Sequence, residues 1–149
     1  MNRVQVVQAL LDRSPQTTYL EIGVQRGKVL LQLRAGKKIA VDPQFTISPF
    51  DRWWGKWRHR SNRDIAFFPM TSDEFFSQHA QVLCDGIDVA LVDGLHTHDQ
   101  AYCDVVNCLR YLKPHGAIVM HDCLPPHAAA AIPAQSPAQA RLQGHPEWT

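Results

Sequence analysis

The chain has 149 residues, the length of one domain able to bury a core of its own. Its formal net charge of +1 supplies no strong electrostatic footprint for nucleic acid or for a membrane surface, and no apolar run is long enough to span a bilayer. Met1-Asn2-Arg3-Val4-Gln5 lacks the long apolar core of a signal peptide. Cys84, Cys103, Cys108 and Cys123 form no Cys-x-x-Cys pair, so they read as reduced thiols of a cytoplasmic protein.

Val4, Val7, Leu10 and Leu11 recur at helical spacing and predict an amphipathic helix over 2–12, ended by Ser14-Pro15. The β-prone run 18–22 predicts a first strand. Residues 28–33 read as helical, with an end near Gly36. The run 38–41 predicts a second strand, stopped by Asp42-Pro43. Residues 48–63 break the pattern by setting Trp53, Trp54 and Trp57 among Arg52, Lys56, Arg58, Arg60 and Arg63, so the second crossover helix is irregular or replaced.

A third strand is predicted over 65–68, stopped by Pro69. Thr71-Ser72-Asp73-Glu74 is a helix N-terminus, because a hydroxyl caps free amides and acids suit the dipole; Phe75 and Phe76 open its apolar face. Residues 87–92 form a fourth strand ending on Asp93-Gly94. A helix follows over 99–112 with Val105, Val106, Leu109 and Leu112 as its buried stripe, stopped by Lys113-Pro114-His115-Gly116. A fifth strand, 117–120, ends on His121-Asp122. Past Asp122 the pattern dissolves: Ala128 to Ala131, Pro133, Ser136 and Pro137 read as a flexible or weakly helical segment, 124–149, outside a folded domain of 1–123.

Alternating helices with near-continuous apolar strands define the class as α/β, a doubly wound parallel sheet in the order 3-2-1-4-5. Ligands bind such sheets at the carboxyl ends of the strands. Glu21, Asp42, Asp93 and Asp122 all fall there, and four acids on one rim call for cations, ligands or hydrogen bonds. The turn Glu21-x-Gly23-x-x-x-Gly27 lets backbone approach a ligand, and Asp42 after the second strand is placed to accept from both ribose hydroxyls. A dinucleotide turn would carry a third glycine and face a pyrophosphate, which an acid at position 21 repels; the acid suits a cationic, amine-bearing ligand.

The turn resembles motif I of the class I S-adenosylmethionine-dependent methyltransferases, though Val24 and Gln25 fill its variable middle. Asp93-Gly94-Leu95-His96-Thr97-His98, then Leu112-Lys113-Pro114-His115-Gly116, then His121-Asp122, resemble one branch of that family, which includes sugar and small-molecule O-methyltransferases. His115 departs from the usual Pro-Gly-Gly turn. The resemblance covers Thr18 to Asp122. It implies a Rossmann-like methyltransferase fold without the usual strands six and seven, Gly144 to Thr149 being the approach to strand six. The exposed edge of strand five would then be covered by a second copy, a homodimer.

The resemblance also implies site roles. Gly23 and Gly27 shape the cofactor turn, Asp42 takes the ribose, Glu21 lies near the methionine moiety, Thr71 and Ser72 line the adenine side, and Asp93 joins them. Asp93 and Asp122 match the ends of strands four and five that hold a divalent metal in metal-dependent O-methyltransferases. Their neighbours His121 and Cys123 are softer donors, which leaves Mg, Mn, Zn or no metal open. His96 is the candidate general base for SN2 transfer of the sulfonium methyl to an oxygen; in the plainer reading His96 and His98 cap the helix or touch the cofactor without titrating. His121 reads as a rim histidine.

Three readings of the Trp-rich stretch stand at this point. It is a lid over a small-molecule acceptor, a single-strand nucleic-acid platform, or a surface insertion whose Trp residues pack on the body while Arg and Lys stay solvated. The nearly neutral net charge weighs against nucleic acid. Two rival functions accompany the methyltransferase reading: a noncatalytic cofactor-binding or assembly domain, and a nicotinamide-dependent oxidoreductase.

Overall fold

The computed structural model describes residues 2–123. Five parallel strands form one sheet in the order β3-β2-β1-β4-β5, as the alternation of apolar runs predicts. They are β1 (Thr18–Ile22), β2 (Lys37–Val41), β3 (Ala66–Phe68), β4 (Ile87–Val92) and β5 (Leu112–Met120). Among the described residues the α-helices are α1 (Arg3–Leu11), α2 (Pro49–Arg58), α3 (Ser72–Gln78) and α4 (His98–Leu109). The expected segment at 128–137 and the expected approach to a sixth strand at 144–149 lie outside the described residues.

Central β1 is buried along its whole length because both faces of the sheet are covered. Tyr19 points to a core shared with Val7 and Leu11 of α1, and Leu20 and Ile22 point to one shared with Phe75 of α3 and Cys108 of α4. Local chemistry starts the helices where the sequence predicts: Asn2 and Thr71 each complete a capping box, and Thr97 caps α4.

Residues 28–33 do not form the expected helix. Only a 3-10 turn, Leu30–Gln32, is present. Its carbonyls are taken by side chains: Lys38 Nζ donates to Leu30 O at 2.9 Å and to Leu33 O, and Asn62 Nδ2 donates to Leu31 O at 2.9 Å. The Arg34 amide meanwhile donates to Gln8 Oε1. The i to i−4 bond that is present, Leu31 N to Gly27 O at 3.1 Å, is not extended, because Arg34 N and Leu30 O, which a continuing helix would join, are bonded elsewhere.

The second crossover is a true helix, α2, set the opposite way round from an ordinary surface helix. Gly55 is its buried residue, while Trp53, Trp54 and Trp57 are 55%, 55% and 72% exposed. The expectation that these Trp residues pack on the body is therefore reversed.

Two expectations at the end of α4 also change. Leu112 belongs to β5, and Leu109 is exposed; the side chains α4 buries fully are Asp104 and Cys108. Residues 113–116, expected to stop a helix, bulge within β5: Ile87 pairs with Leu112 but Val89 pairs with Ala117. Pro114 lacks an amide for the ladder, and an edge strand tolerates that. Among the described residues β5 pairs only with β4.

Candidate active site

The strand ends bring the predicted residues to one rim. Gly23 leaves β1 with φ +82° and donates its amide to Val41 O at 3.0 Å. A Cβ there would fall on the Asp93 carbonyl oxygen and within 2.6 Å of Gly94 Cα, so only glycine lets the turn lie against the end of β4. Gln25 is held at φ +43° and donates its amide to Asp42 Oδ2 at 2.7 Å; Gln44 N donates to Asp42 Oδ1 at 2.7 Å. Asp42 thus braces the glycine turn. Each carboxylate oxygen keeps a further lone pair for a ligand hydroxyl.

Glu21 sits on the same strand face as Tyr19, two residues away, and its Oε2 accepts from the Tyr19 hydroxyl at 2.6 Å. Both are buried. Burial above all lifts the Glu21 carboxyl to about 8, despite the tyrosine hydrogen bond, and the nearby Asp93 charge adds to the rise. The Tyr19 hydroxyl is likewise raised, first by burial and then by Glu21. At neutral pH Glu21 is therefore protonated, and the repulsion of a pyrophosphate expected from an ionised acid does not operate. A different feature disfavours a dinucleotide: no α-helix N-terminus follows Gly27.

Across the switch point, Asp93 Oδ2 accepts from Arg3 Nη1 of α1 at 2.6 Å, and its Oδ1 stands 3.1 Å from His121 Nδ1. His121 Nδ1 is also 3.1 Å from Asp122 Oδ1, and His96 Nδ1 is 3.9 Å from Asp122 Oδ2. The short His121 approaches lack hydrogen-bond geometry. Burial raises the Asp93 carboxyl, with His121 and Arg3 opposing. Asp122 adopts φ +52°, which turns its carboxylate back toward these histidines.

The expected metal pair is not supported. Arg3 and His121 already stand where a cation would answer Asp93. Among the described residues no group of three or more His, Cys, Asp or Glu side chains is placed to hold a metal.

Three cavities meet at this cluster. One of about 590 Å³ runs past Gln25, Asp42, Thr71, Ser72 and Gln100. A second, about 460 Å³, is walled by Arg3, Glu21, Gly23, Arg26 and Lys28. The third, about 440 Å³ and mostly apolar, lies between Leu95, Tyr102, Val105 and Met120. Asp93 borders all three, while His96, His121 and Asp122 border the second and third. Gly27 is not on their walls: at φ +67° it turns the chain toward Ile47. His98 borders the third cavity but points to the surface, paired with Asp99 at 3.1 Å.

A family model described as a methyltransferase domain matches residues 20–123. The chain belongs to the methyltransferase domain family. Among solved structures, this methyltransferase domain is similar to the N-methyltransferase NodS of Bradyrhizobium japonicum WM9, at 18% identity and a TM-score of 0.57, covering 97% of this chain and 72% of that one. It is also similar to a SAM-dependent methyltransferase of Geobacter sulfurreducens in complex with S-adenosyl-L-homocysteine, at 18% identity and a TM-score of 0.50. There 85% of this chain is covered, and it spans 52% of the other. The likeness is one of fold: the Rossmann-like sheet of class I methyltransferases. No curated protein matches the sequence.

Several residues of this methyltransferase domain's rim carry no signal in the sequence. Arg3 lies on a helix remote in the chain. Gln100 Nε2 donates to Ser72 Oγ and Asp104 Oδ1, both at 3.2 Å, inside what reads as an ordinary helix stripe. The Asp104 carboxyl is raised by burial first, eased by its hydrogen bonds to Ser72 and Gln100. A buried acid in an apolar stripe was the one available hint.

Proposed function

We propose that this domain performs S-adenosylmethionine-dependent methyl transfer to an oxygen of a small molecule or sugar. The observation that carries the reading is the meeting of the three cavities at Asp93, with His96 on the wall of the second and third. The first offers Asp42 to the ribose, with Thr71 and Ser72 on the adenine side. The second mixes Arg3, Arg26 and Lys28 with Asp93 and Asp122, which suits an amino-acid moiety bearing both charges, and Glu21 stands beside them as a buried proton carrier. The apolar third receives the acceptor. The Geobacter protein, bound to S-adenosyl-L-homocysteine, supports the choice of cofactor. The exposed and unpaired thiols Cys84, Cys103 and Cys123 fit a cytoplasmic setting.

Bound cofactor supplies an electrophilic methyl group. The protein's part is alignment, and proximity accounts for much of the rate in such a displacement. His96 takes the acceptor's hydroxyl proton as oxygen attacks, and Asp122, 3.9 Å from its Nδ1, stabilises the imidazolium that results. No covalent nucleophile is needed. Buried Cys108 is unsuited to be one, its thiol being pushed up to about 12, chiefly by burial.

Two measurements test this reading. In calorimetry, Asp42→Ala weakens S-adenosylhomocysteine binding by roughly 2–3 kcal/mol, thirtyfold to over a hundredfold; wild-type affinity in a folded variant removes the ribose assignment. His96→Ala leaves that affinity within about twofold and lowers turnover of an accepted hydroxyl substrate by roughly 10²–10⁴. An unchanged rate excludes His96 as the base.

A further inference from the structure

The outward face of α2 has no part in the chemistry above. At 100° per residue, Phe50, Trp53, Trp54 and Trp57 fall within a sector of about 100°. Gly55 and Arg52 lie on the opposite side, toward the body. A Cβ at Gly55 would come within 3.1 Å of Leu31 Cδ2, Gly55 O accepts from Asn62 Nδ2 at 2.7 Å, and the Arg52 guanidinium lies 4.7 Å from the Phe67 ring centroid. Close packing on that side fixes the aromatic stripe toward solvent.

The rings form one continuous patch. Neighbouring centroids are 6.1–6.4 Å apart. A base sandwiched between two rings needs roughly 7 Å, two aromatic contact distances, so the stripe is not a set of slots for nucleobases.

Charge surrounds the patch. Lys56 and Arg58 flank it around the helix, and residues 49–63 hold five cations against the single acid Asp51. Beside the C-terminal end of α2 lies a cleft of about 650 Å³ lined by Arg13, Arg34, Arg58, His59 and Arg60, with Asp12 its one acid. His59 is held below its usual value, by burial first and then by Lys38 and Arg58, as a locally positive field requires. The chain's net charge of +1 conceals this concentration.

We propose that this face docks on a membrane surface rich in anionic phospholipid, with the aromatic stripe in the headgroup–acyl boundary and the Arg-lined cleft against lipid phosphates. An outward apolar face with cationic flanks is the pattern of an interfacial helix, and Trp favours that depth. Charge complementarity selects this occupant over two others. A two-fold dimer through the stripe would set Lys56, Arg58 and Arg60 against their own copies. Residues 124–149 contain one acid, Glu147, and cannot answer the cations. The cleft borders Thr17 and Gly36, ahead of β1 and β2, at the opposite end of the sheet from the cofactor rim. Docking leaves that rim accessible.

The test is co-sedimentation of the full chain with vesicles of phosphatidylcholine alone, or of phosphatidylcholine and phosphatidylglycerol in equal parts, with tryptophan emission recorded. Binding to the anionic vesicles with a blue shift, weakened by salt, is expected. Lys56→Glu/Arg60→Glu should reduce it about tenfold, and Trp53→Ser/Trp57→Ser should remove the blue shift. Circular dichroism confirms that the variants fold. Absence of binding by the folded wild type overturns the proposal, as does equal partition into both vesicle types. Concentration-dependent dimerisation lost in the Trp variant, or tighter binding of a single-stranded oligonucleotide than of vesicles, also overturns it. Soluble glycerophosphate that displaces the protein from vesicles without itself shifting the emission is the expected competitor result. A blue shift with glycerophosphate alone assigns the cleft to a free phosphate compound and overturns the membrane reading.

Discussion

Gly23→Ala is expected to cost about 3–4 kcal/mol of folding stability and to abolish S-adenosylhomocysteine binding. Two penalties combine. At φ +82° any L side chain is strained, and the new Cβ meets backbone, the Asp93 carbonyl and Gly94 Cα, rather than a side chain that can swing aside. Relief requires β1 and β4 to part at the switch point, where all three cavities meet. Gly27→Ala is the control: at φ +67° it carries a similar strain, but its Cβ meets only Ile47 Cδ1, at 3.0 Å, and Leu31. That substitution should cost about 1–2 kcal/mol. Urea unfolding separates the two, and a Gly23→Ala midpoint equal to that of Gly27→Ala contradicts the packing argument.

Glu21→Gln should change how stability depends on pH. The folded chain holds the Glu21 proton up to about 8, against an ordinary value of 4.5. Between those values the folded state binds more protons than the unfolded state, so wild-type stability falls as pH rises, by at most about 1.4 kcal/mol per pH unit from this group. Glutamine keeps the acceptor for the Tyr19 hydroxyl and cannot ionise. The variant's stability should therefore be flatter from pH 5 to 8, and it should overtake the wild type toward the upper end. Lys38 acts in a separate window: burial lowers it from 10.5 to about 8, so its own contribution rises with pH only above about 8. Unfolding curves that move in parallel for wild type and variant would dismiss the buried-proton account. The same proton bears on ligand choice. A sulfonium cation beside Glu21 favours the ionised carboxylate, so S-adenosylmethionine affinity should strengthen as pH approaches 8 in the wild type and not in Glu21→Gln.

The strands were legible because a parallel sheet covered on both faces demands near-continuous apolar runs, and 18–22 and 87–92 supply them, each broken by one acid. Capping chemistry made the start of α3 readable for the same local reason. What escaped was set by groups distant in the chain. Lys38 takes Leu30 O and Gln8 takes Arg34 N, the pair that a helix would need to continue past 28–33, and no local pattern reveals it. The facing of α2 depends on Gly55 meeting Leu31 and Asn62, so residue types that suggest packed Trp and solvated cations end with the Trp outside. At the site, the rim residues were readable as strand-end acids and a histidine after β4. Their ionisation was not: the protonated state of Glu21 comes from burial beside Tyr19, and the engagement of Asp93 by Arg3 comes from how α1 docks.

The Arg3–Asp93 contact joins positions ninety residues apart. A chain synthesised from its N-terminus at about 5–20 residues per second exposes the first helix roughly 5–18 seconds before its partner exists. During that interval α1 lacks the strand that completes its bed, and the second cavity lacks a wall. Arg3 and the helix that carries it are thus among the last elements to be locked in place. Ligand-binding competence therefore waits for Asp93 and the rim residues that follow it, and a nascent intermediate that lacks them, however collapsed, carries none of it.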